Sequence, residues 1–272
     1  MDKDEGKDIY GLVGRSIQHS LSPIIYNSLY TKHGIDAEYR LFDMDNLSQF
    51  MKEVRDDASR IQGLNITKPY KIEVFKYLDE VGQEVKRIGS SNTVSITDGM
   101  IKGFNTDGVG AKRALTRFTD IENKKVLQLG AGGAGKAIAY ELSRTSEVTV
   151  LNRTLKKARS LEKFGVEVNR LSKEILKREL ETADILINTT SVGMDEKRSL
   201  VDIDLMKEGL TVFDIVYSPL DTKLLKDAER TGCQTIDGIW MLIYQAVQAF
   251  QIWMGIEPDP ARLRKILMAE IS

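Results

Sequence analysis

The first 110 positions alternate short apolar runs with amphipathic segments. Period-two patterns and helix-start signals predict strands at 9–13, 37–42 and 61–67, a hairpin that turns at Asp98-Gly99, and helices at 22–32, 47–54, 81–87 and 109–118. Ser22-Pro23 is typical of a helix start, with serine as the N-cap and proline at the first helical position. A further helix is expected beyond Pro69, with Lys71 in its first turn.

From residue 125 onward, strands and helices alternate regularly. The predicted strands are 126–129, 148–151, 166–168, 185–187, 212–215 and 234–236. This βαβ pattern predicts a parallel sheet covered on both faces, with ligands at the carboxyl ends of the strands. A long apolar helix is expected from Gly238, followed by a last helix at 260–269.

A glycine-rich stretch, GAGGAG at 130–135, follows the first strand of this second half. Gly130 would make a tight turn, Gly132 would let a pyrophosphate approach the backbone, and Gly135 would let the next helix pack on the strand. The free N–H groups at the start of that helix favour an anion. The alternative for this stretch alone is a glycine-rich turn without a ligand.

The end of the next strand bears on the choice of cofactor. NAD sites usually place an acidic residue about 20 residues beyond the glycines, where it holds the ribose 2′-hydroxyl. This chain has Asn152-Arg153-Thr154 there, followed by Lys156 and Lys157. Because a guanidinium can fork onto a 2′-phosphate, the sequence favours NADP(H) over NAD(H). An exposed charge at a helix start is the alternative interpretation of Arg153.

Several polar residues invite both a structural and a functional interpretation. Ser20 and Ser22 alternate in a loop, so both hydroxyls could face a polyhydroxylated ligand, although Ser22 could act only as a cap. Lys71 is a cation at a helix N-terminus, which is electrostatically unfavourable unless a site requires it. Asp107 could simply cap the helix that follows it. Gln245, a polar exception in the long apolar helix, is either a satisfied core residue or a ligand contact.

Composition and charge exclude several classes of protein. With 272 residues, 42% hydrophobic and a net charge of −1, the chain has the makings of a globular fold and no signature of nucleic-acid or membrane-surface binding. One cysteine and two histidines exclude disulfides within the chain and leave no ligand spacing for a metal. No apolar run is long enough to span a bilayer, and the charged start at 1–7 does not look like a signal peptide. We therefore expect a cytoplasmic protein without a metal.

Taken together, these motifs resemble the shikimate dehydrogenase family over nearly the whole chain. The resemblance rests on SLSP at 20–23, GLNITKPYK at 63–71, SNT at 91–93, GFNTD at 103–107, GAGGAG at 130–135, NRT at 152–154, NTTSVGM at 188–194, DIVYSP at 214–219 and DGIWMLIYQ at 237–245. Three positions depart from the family pattern. Tyr26 stands where many members have histidine, Ser90-Ser91 replaces the commoner small apolar pair, and Gln83 lies near where some members place an acidic residue.

The resemblance implies a two-domain α/β enzyme that reversibly reduces 3-dehydroshikimate with NADPH, in the route to chorismate and the aromatic amino acids. The implied catalytic pair is Lys71 and Asp107. The implied substrate-binding residues are Ser20, Ser22, Thr67, Lys71, Asn92, Asp107, Tyr217 and Gln245. The predicted cofactor-binding residues are Gly130, Ala131, Gly132, Gly133, Ala134, Asn152, Arg153, Thr154, Lys157, Thr189, Ile215 and Gly238.

The resemblance also implies a domain order. An N-terminal substrate-binding domain would comprise 1–108 together with the returning C-terminal helices at 242–272, and a Rossmann-like NADP-binding domain would comprise 109–241. The alternatives left open are a quinate/shikimate dehydrogenase that accepts NAD(H), a catalytically silent sensor of NADP or shikimate, and a structural domain without a ligand. A homodimer contact on the helix faces at 21–30 or 240–253 is a further expectation, which core packing would explain equally well.

Overall fold

The computed structural model describes residues 6–56, 60–195 and 197–271. The chain divides into two compact units, the first formed by Met1–Thr106 with Gln245–Ser272 and the second by Asp107–Tyr244. The proposed absence of a signal peptide concerns the extreme N-terminus, of which residues 1–5 lie outside the described part.

The first unit contains a mixed six-stranded sheet. Its strands are β1 (Asp8–Gly14), β2 (Ala37–Asp43), β3 (Ile61–Ile66), β4 (Glu80–Val81), β5 (Thr93–Thr97) and β6 (Met100–Phe104), in the order β2-β1-β3-β5-β6-β4. β1 is parallel to β2 and to β3, whereas β5 is antiparallel to both β3 and β6. The β5–β6 turn at Asp98-Gly99 has positive φ at both residues, as a tight hairpin requires.

The helices of the first unit are α1 (Ser22–His33), α2 (Leu47–Glu53), α3 (Gln83–Ile88) and α10 (Pro260–Ile271). α1 ends at Gly34, which adopts the left-handed conformation that terminates many helices. The apolar positions of α1, among them Ile25, Tyr26 and Tyr30, are buried within the protein. Core packing therefore accounts for the apolar face that a dimer contact would otherwise explain.

The second unit contains an all-parallel six-stranded sheet. Its strands are β7 (Lys125–Leu129), β8 (Glu147–Asn152), β9 (Glu167–Arg170), β10 (Ile185–Asn188), β11 (Thr211–Asp214) and β12 (Gln234–Ile236). The order β12-β11-β10-β7-β8-β9 is the doubly wound arrangement that reverses direction between its first and fourth strands, here β7 and β10. Ligands of such sheets bind at that reversal point.

Helices connect these strands and pack against the sheet. They are α4 (Asp107–Thr116), α5 (Gly133–Leu142), α6 (Leu155–Ala158), α7 (Lys173–Thr182) and α8 (Lys223–Arg230). The long helix α9 (Gly238–Met254) begins in the second unit and continues into the first. Two apolar clusters form the core of this unit; Val126, Val150 and Ile187 belong to one, and Leu127, Leu129 and Leu186 to the other.

Three local predictions were wrong. The segment after Pro69 forms a turn and then a short 3₁₀ helix (Glu73–Tyr77), so Lys71 precedes a 3₁₀ turn and does not lie in the first turn of an α-helix. Only Val74 of that helix is buried and Ile72 is 56% exposed, so the segment lacks the apolar face that would stabilise a longer helix. The electrostatic argument for Lys71 therefore does not hold.

The other two corrections concern helix ends. Leu21 is the N-cap of α1 and makes no side-chain cap, so Ser22 is the first helical residue and its hydroxyl is turned toward Ser20. The region predicted as a helix at 81–87 begins as the short strand β4, and α3 starts only at Gln83, after Gly82. Pairing of β4 with β6 holds that first part in the sheet.

Candidate active site

Most of the predicted substrate-binding residues of the first unit lie near one edge of its sheet. Ser20 follows β1, and Thr67 follows β3, which is parallel to β1. Asn92 immediately precedes β5, which runs antiparallel to β3. Asn105 and Thr106 follow β6, which is antiparallel to β5. The topology therefore collects polar side chains that are distant in sequence.

Ser20 and Ser22 place their hydroxyls together. The Ser20 hydroxyl donates to the Ser22 hydroxyl over 3.2 Å, and the Ser22 amide donates to Ser20 Oγ over 3.3 Å. Asp43, at the end of β2, organises the preceding loop because its carboxylate accepts the amides of Ser16 and Ile17. The two hydroxyls thus form one polar spot at the start of α1, a geometry that suits a ligand with several hydroxyl groups.

Backbone hydrogen bonds fix the segment that carries Thr67 and Lys71. The Thr67 amide donates to the Val13 carbonyl over 2.9 Å, which continues the β1–β3 pairing beyond the strands. The Lys71 carbonyl accepts the Ser91 amide over 2.8 Å, which places Lys71 beside the segment that leads into Asn92. A cis peptide bond joins Lys68 to Pro69 between these two residues.

Asn92 is 3% exposed, and its carboxamide is held by Thr106. Asn92 Oδ1 accepts the Thr106 amide over 2.7 Å, and Asn92 Nδ2 donates to the Thr106 hydroxyl over 2.9 Å. The same hydroxyl lies 3.5 Å from Gln245 Oε1. Asn92 and Gln245 are thus linked through one buried threonine, so Gln245 takes part in a polar network and is not an isolated core residue.

The sequence alone did not identify Tyr39 and Asn65, which extend this hydrogen-bond network. The Tyr39 hydroxyl donates to Asn65 Oδ1 over 2.7 Å, and Asn65 Nδ2 donates to the Thr93 hydroxyl over 3.1 Å. Asn65 is 5% exposed in the apolar strand β3. A polar amide within this apolar run was the signal in the sequence that could have indicated a buried hydrogen-bond network. The Tyr26 ring stacks on Tyr39 with centroids 4.3 Å apart, so this departure from the family pattern is a core residue.

The remaining departures also have structural explanations. The Ser91 hydroxyl donates to the Phe104 carbonyl over 2.7 Å, and Asn105 Nδ2 donates to the Ser90 carbonyl over 2.9 Å. Both serines are fully buried, and their hydrogen bonds hold the hairpin beside Asn92. Gln83 is an exposed residue at the start of α3.

Asp107 is the first residue of α4 in the second unit and is 4% exposed. The next residue, Gly108, permits a close approach between helices, because a Cβ there would lie 2.6 Å from the Ala137 carbonyl oxygen of α5. Asp107 therefore stands on a helix that is packed tightly against the helix that follows the glycine turn.

The glycine turn after β7 has the geometry that its sequence predicted. Gly130 has φ +103°, which is favourable for glycine and strained for other residues. A Cβ at Gly135 would lie 2.6 Å from Thr189 Oγ1, so only glycine allows this approach to the strand ends. Gly132 is the N-cap of α5, and a Cβ there would meet nothing. The N-terminus of α5 therefore begins beside open space.

A group of basic side chains surrounds the end of β8. Asn152 is the last residue of that strand and donates through Nδ2 to the Thr154 carbonyl over 2.8 Å, which shapes the turn into α6. Arg153 and Lys157 are exposed, and no ion pair within 6–56, 60–195 and 197–271 involves either of them. Two positive charges thus face solvent where a ribose 2′-phosphate would lie in this fold.

A buried carboxylate joins the ends of β10 and β11. Asp214 is 0% exposed; its Oδ1 accepts Asn188 Nδ2 and the Val216 amide, and its Oδ2 accepts the Thr222 hydroxyl over 2.8 Å. Burial raises the pKa of Asp214 from 3.8 to about 6, although these three hydrogen bonds act in the opposite direction. Asp214 thereby fixes the loops that carry Thr189 and Tyr217.

The loop after β11 leads to the start of α9. Tyr217 is partly buried in this loop, and a cis peptide bond joins Ser218 to Pro219 just beyond it. A Cβ at Gly238 would lie 2.5 Å from the carbonyl oxygen of Ile215, so glycine is needed where α9 begins. Asp237 caps this helix by accepting the Ile239 amide.

The described residues contain no cluster of three or more histidine, cysteine or acidic side chains able to hold a metal ion. Within the same ranges, no helix is long and apolar enough to cross a membrane.

The strand order and the glycine turn place the second unit in the doubly wound class whose members bind dinucleotides. Three family models match the chain in succession. They are the shikimate dehydrogenase substrate binding domain over residues 12–94, shikimate / quinate 5-dehydrogenase over 112–216, and the shikimate 5′-dehydrogenase C-terminal domain over 238–268.

Full-length relatives agree with these models. The chain is 51% identical over 264 residues to the shikimate dehydrogenase (NADP(+)) of Pyrococcus abyssi, covering 97% of this chain and 98% of the relative. The chain belongs to the shikimate dehydrogenase family.

Solved structures show the same fold. A shikimate dehydrogenase crystallised with NADP+ superposes with a TM-score of 0.90 at 37% identity, over 100% of this chain and 98% of that chain. The Thermus thermophilus shikimate 5-dehydrogenase, in complex with NADP(H) and shikimate, gives a TM-score of 0.88 at 34% identity, over 96% of this chain and 98% of that chain.

Proposed function

We propose that this protein catalyses the reversible, NADPH-dependent reduction of 3-dehydroshikimate to shikimate, in the route to chorismate and the aromatic amino acids. Membership of the family supports the reaction class. The observation that carries the proposal is the polar edge of the first sheet, where the Lys71 backbone is bonded to Ser91 and Asn92 is locked by Thr106. Reduction of a hydroxylated keto acid requires a general acid or base for proton transfer and polar groups, such as an amide, that orient the substrate.

We further propose a division of labour between the two parts of the chain. We assign residues 1–108 and 242–272 to the substrate-binding domain and residues 109–241 to the NADP-binding domain. These bounds differ from those of the two compact units, which change over after Thr106 and after Tyr244. The difference between the two sheets supports this assignment, because only the second has the parallel, doubly wound topology with a glycine turn at its reversal point.

Substrate binding is assigned to hydroxyl and amide groups with some charged side chains. Ser20, Ser22 and Thr67 would hold the substrate's hydroxyl and carboxylate oxygens, and Asn92 and Gln245 would add amide contacts. Tyr217, in the loop after β11, is assigned to the same role. Hydrogen bonds already fix the Ser20–Ser22 pair and the Asn92 carboxamide, so ligand binding would order few further side chains.

Catalysis is assigned to Lys71 and Asp107. The Lys71 ammonium can polarise the ketone and donate a proton to its oxygen, and in the reverse direction it accepts that proton. Asp107 is its partner in the catalytic pair, held on the tightly packed helix α4. NADPH, when bound, supplies the hydride that reaches the carbonyl carbon.

The residues of the second unit fit NADP(H). The backbone amide of Ala131 lies in the glycine turn, and those of Gly133 and Ala134 lie at the start of α5, where N–H groups and the helix dipole favour a pyrophosphate. Arg153, Thr154 and Lys157 would hold the 2′-phosphate, and no carboxylate in Asn152-Arg153-Thr154 repels it. Thr189, Ile215 and Gly238 would line the rest of the cofactor site from the ends of β10 and β11 and the start of α9.

The proposal is tested by the turnover of purified enzyme, followed through NADPH absorbance. We expect oxidation of shikimate with NADP and reduction of 3-dehydroshikimate with NADPH. A protein that binds shikimate and NADP without turnover would instead be a sensor. Absence of both binding and turnover would contradict the proposal. A homodimer and a cytoplasmic location remain predictions, which light scattering and cell fractionation would check.

A further inference from the structure

Gln128 is a fully buried amide near the carboxyl end of β7. Its neighbours in register are Val150 on β8 and Ile187 on β10, both of which belong to the apolar core. The side chain is 0% exposed. A buried amide on an apolar sheet face is unfavourable unless it is hydrogen-bonded, so the partners of Gln128 indicate why it is there.

Both of those partners belong to the glycine turn. Gln128 Nε2 donates to the Gly130 carbonyl over 2.8 Å and to the Gly135 carbonyl over 2.9 Å. Gln128 Oε1 is buried and has no hydrogen-bond partner among the described residues. The reverse orientation of the amide would set Oε1 against two carbonyl oxygens, so the two contacts determine which atom is the nitrogen.

The two hydrogen bonds tie the start of the turn to the first turn of α5. In a trans peptide, the C=O of one residue and the N–H of the next point in opposite directions. Holding the Gly130 carbonyl inward therefore turns the Ala131 N–H outward. Thr189, the residue after β10, assists because its hydroxyl lies within hydrogen-bond distance of the Leu129 carbonyl, at 2.8 Å, and of the Gly130 carbonyl, at 3.1 Å.

We propose that Gln128 is a positioning residue for the glycine turn. Its side-chain amide fixes the conformation of the turn by donating hydrogen bonds to the carbonyls of Gly130 and Gly135. The assignment rests on the proposed function of this turn as the NADP site. The unpartnered Oε1 is a local cost to stability, of the kind that proteins retain where a site requires it.

The test replaces Gln128 with an apolar residue of similar length, Gln128→Met. We expect the Kd for NADP, measured by calorimetry without substrate, to rise about tenfold, which corresponds to one lost net hydrogen-bond contribution. The KM for shikimate should stay within about twofold, and the Tm should not fall, because the buried acceptor without a partner is also removed. Gln128→Leu repeats the test with a different shape.

Thr211→Val is the matched control. It removes a buried hydroxyl from the amino end of β11 in the same sheet, where the Thr211 hydroxyl bonds the Gln234 side chain. This variant should keep the wild-type Kd for NADP. An unchanged Kd in both Gln128 variants would overturn the assignment, as would a loss of Tm in both variants without a loss of affinity. A wild-type enzyme that fails to bind NADP would overturn the proposed function and this assignment together.

Discussion

The two sheets present polar groups in different ways. At the edge of the first sheet, side chains bond one another as well as the backbone, as in the contacts of Asn92 with Thr106 and of Ser20 with Ser22. At the carboxyl end of the second sheet, side chains mainly bond the backbone, as Gln128 does at Gly130 and Thr189 does at Leu129. The first arrangement fixes the orientation of side-chain functional groups, whereas the second shapes a stretch of main chain.

From this difference we expect the two proposed sites to tolerate different substitutions. A site made of side chains depends on the identity of each residue, and one substitution removes one contact. A site made of backbone depends on turns, so a substitution acts through the conformation of several amides. The following predictions separate these two kinds of dependence.

The largest effect is expected at Lys71, the proposed catalytic lysine. Lys71→Ala should lower kcat by about 10²- to 10⁴-fold with little change in the KM for shikimate, because a positioned acid contributes to the transition state. Steady-state kinetics measures both constants. Lys76→Ala, at an exposed lysine on the neighbouring 3₁₀ helix, is the control. A Lys71→Ala enzyme with near-normal kcat would remove this residue from the mechanism.

The second unit should show the next largest effect through Asp214. Since its pKa in the folded protein is raised from 3.8 to about 6, this carboxyl contributes stability below pH 3.8 that is lost as the pH rises through 6. The contribution is on the order of 3 kcal/mol. In Asp214→Asn the free energy of unfolding should lack this pH-dependent part.

Chemical denaturation of both proteins between pH 4 and pH 7 measures the difference. Asp204→Asn, at an exposed carboxylate of the same unit, is the control. If the difference in the free energy of unfolding between the wild type and Asp214→Asn does not change with pH, Asp214 does not titrate in this range. Asp214→Ala should destabilise the fold by about 3 kcal/mol at neutral pH, because three buried donors lose their acceptor.

A smaller effect, confined to the cofactor, is expected at Arg153. Arg153→Ala should raise the KM for NADP by about 10- to 100-fold and leave the KM for NAD nearly unchanged, because only the 2′-phosphate is lost as a partner. Arg159→Ala, at an exposed arginine further along the same segment, is the control. Equal loss with both cofactors would mean that Arg153 does not read the 2′-phosphate.

The smallest effect is expected from a single hydroxyl in the substrate region. Thr67→Ala should raise the KM for shikimate about tenfold with little change in the KM for NADP, since one hydrogen bond is removed. Thr31→Ala, which removes an exposed hydroxyl from α1, should have no effect on either constant. An unchanged KM for shikimate would exclude Thr67 from the substrate site.

The sequence predicted the second unit better than the first for a physical reason. Its βαβ pattern and glycine spacing follow from steric rules, so the strands, the positive φ of Gly130 and the close packing at Gly135 could be derived residue by residue. The α/β fold and membership of the family are confirmed. NADP stands in the names of the relatives, in agreement with the preference drawn from Arg153.

The first unit contains the errors because its local structure depends on tertiary contacts. The turn at Lys71 is held by a carbonyl that bonds Ser91, twenty positions further on, and no local propensity reveals that bond. The position of Thr106 between Asn92 and Gln245 likewise depends on strand pairing and on the return of α9. In the sequence Gln128 stands within an apolar run. Its hydrogen-bond partners are backbone carbonyls, which every residue has, so the sequence does not reveal them. The roles of the individual site residues stay predictions.

We propose that the first unit supplies most of the substrate contacts and that the second unit selects the cofactor. The most direct test measures kcat/KM for shikimate and quinate, each with NADP and with NAD, in the wild type and in Arg153→Ala. We predict that the wild type prefers shikimate and NADP, and that Arg153→Ala lowers the NADP-to-NAD ratio while the shikimate-to-quinate ratio stays constant. A wild type that uses NAD as well as NADP, or a variant in which both ratios change together, would contradict this account.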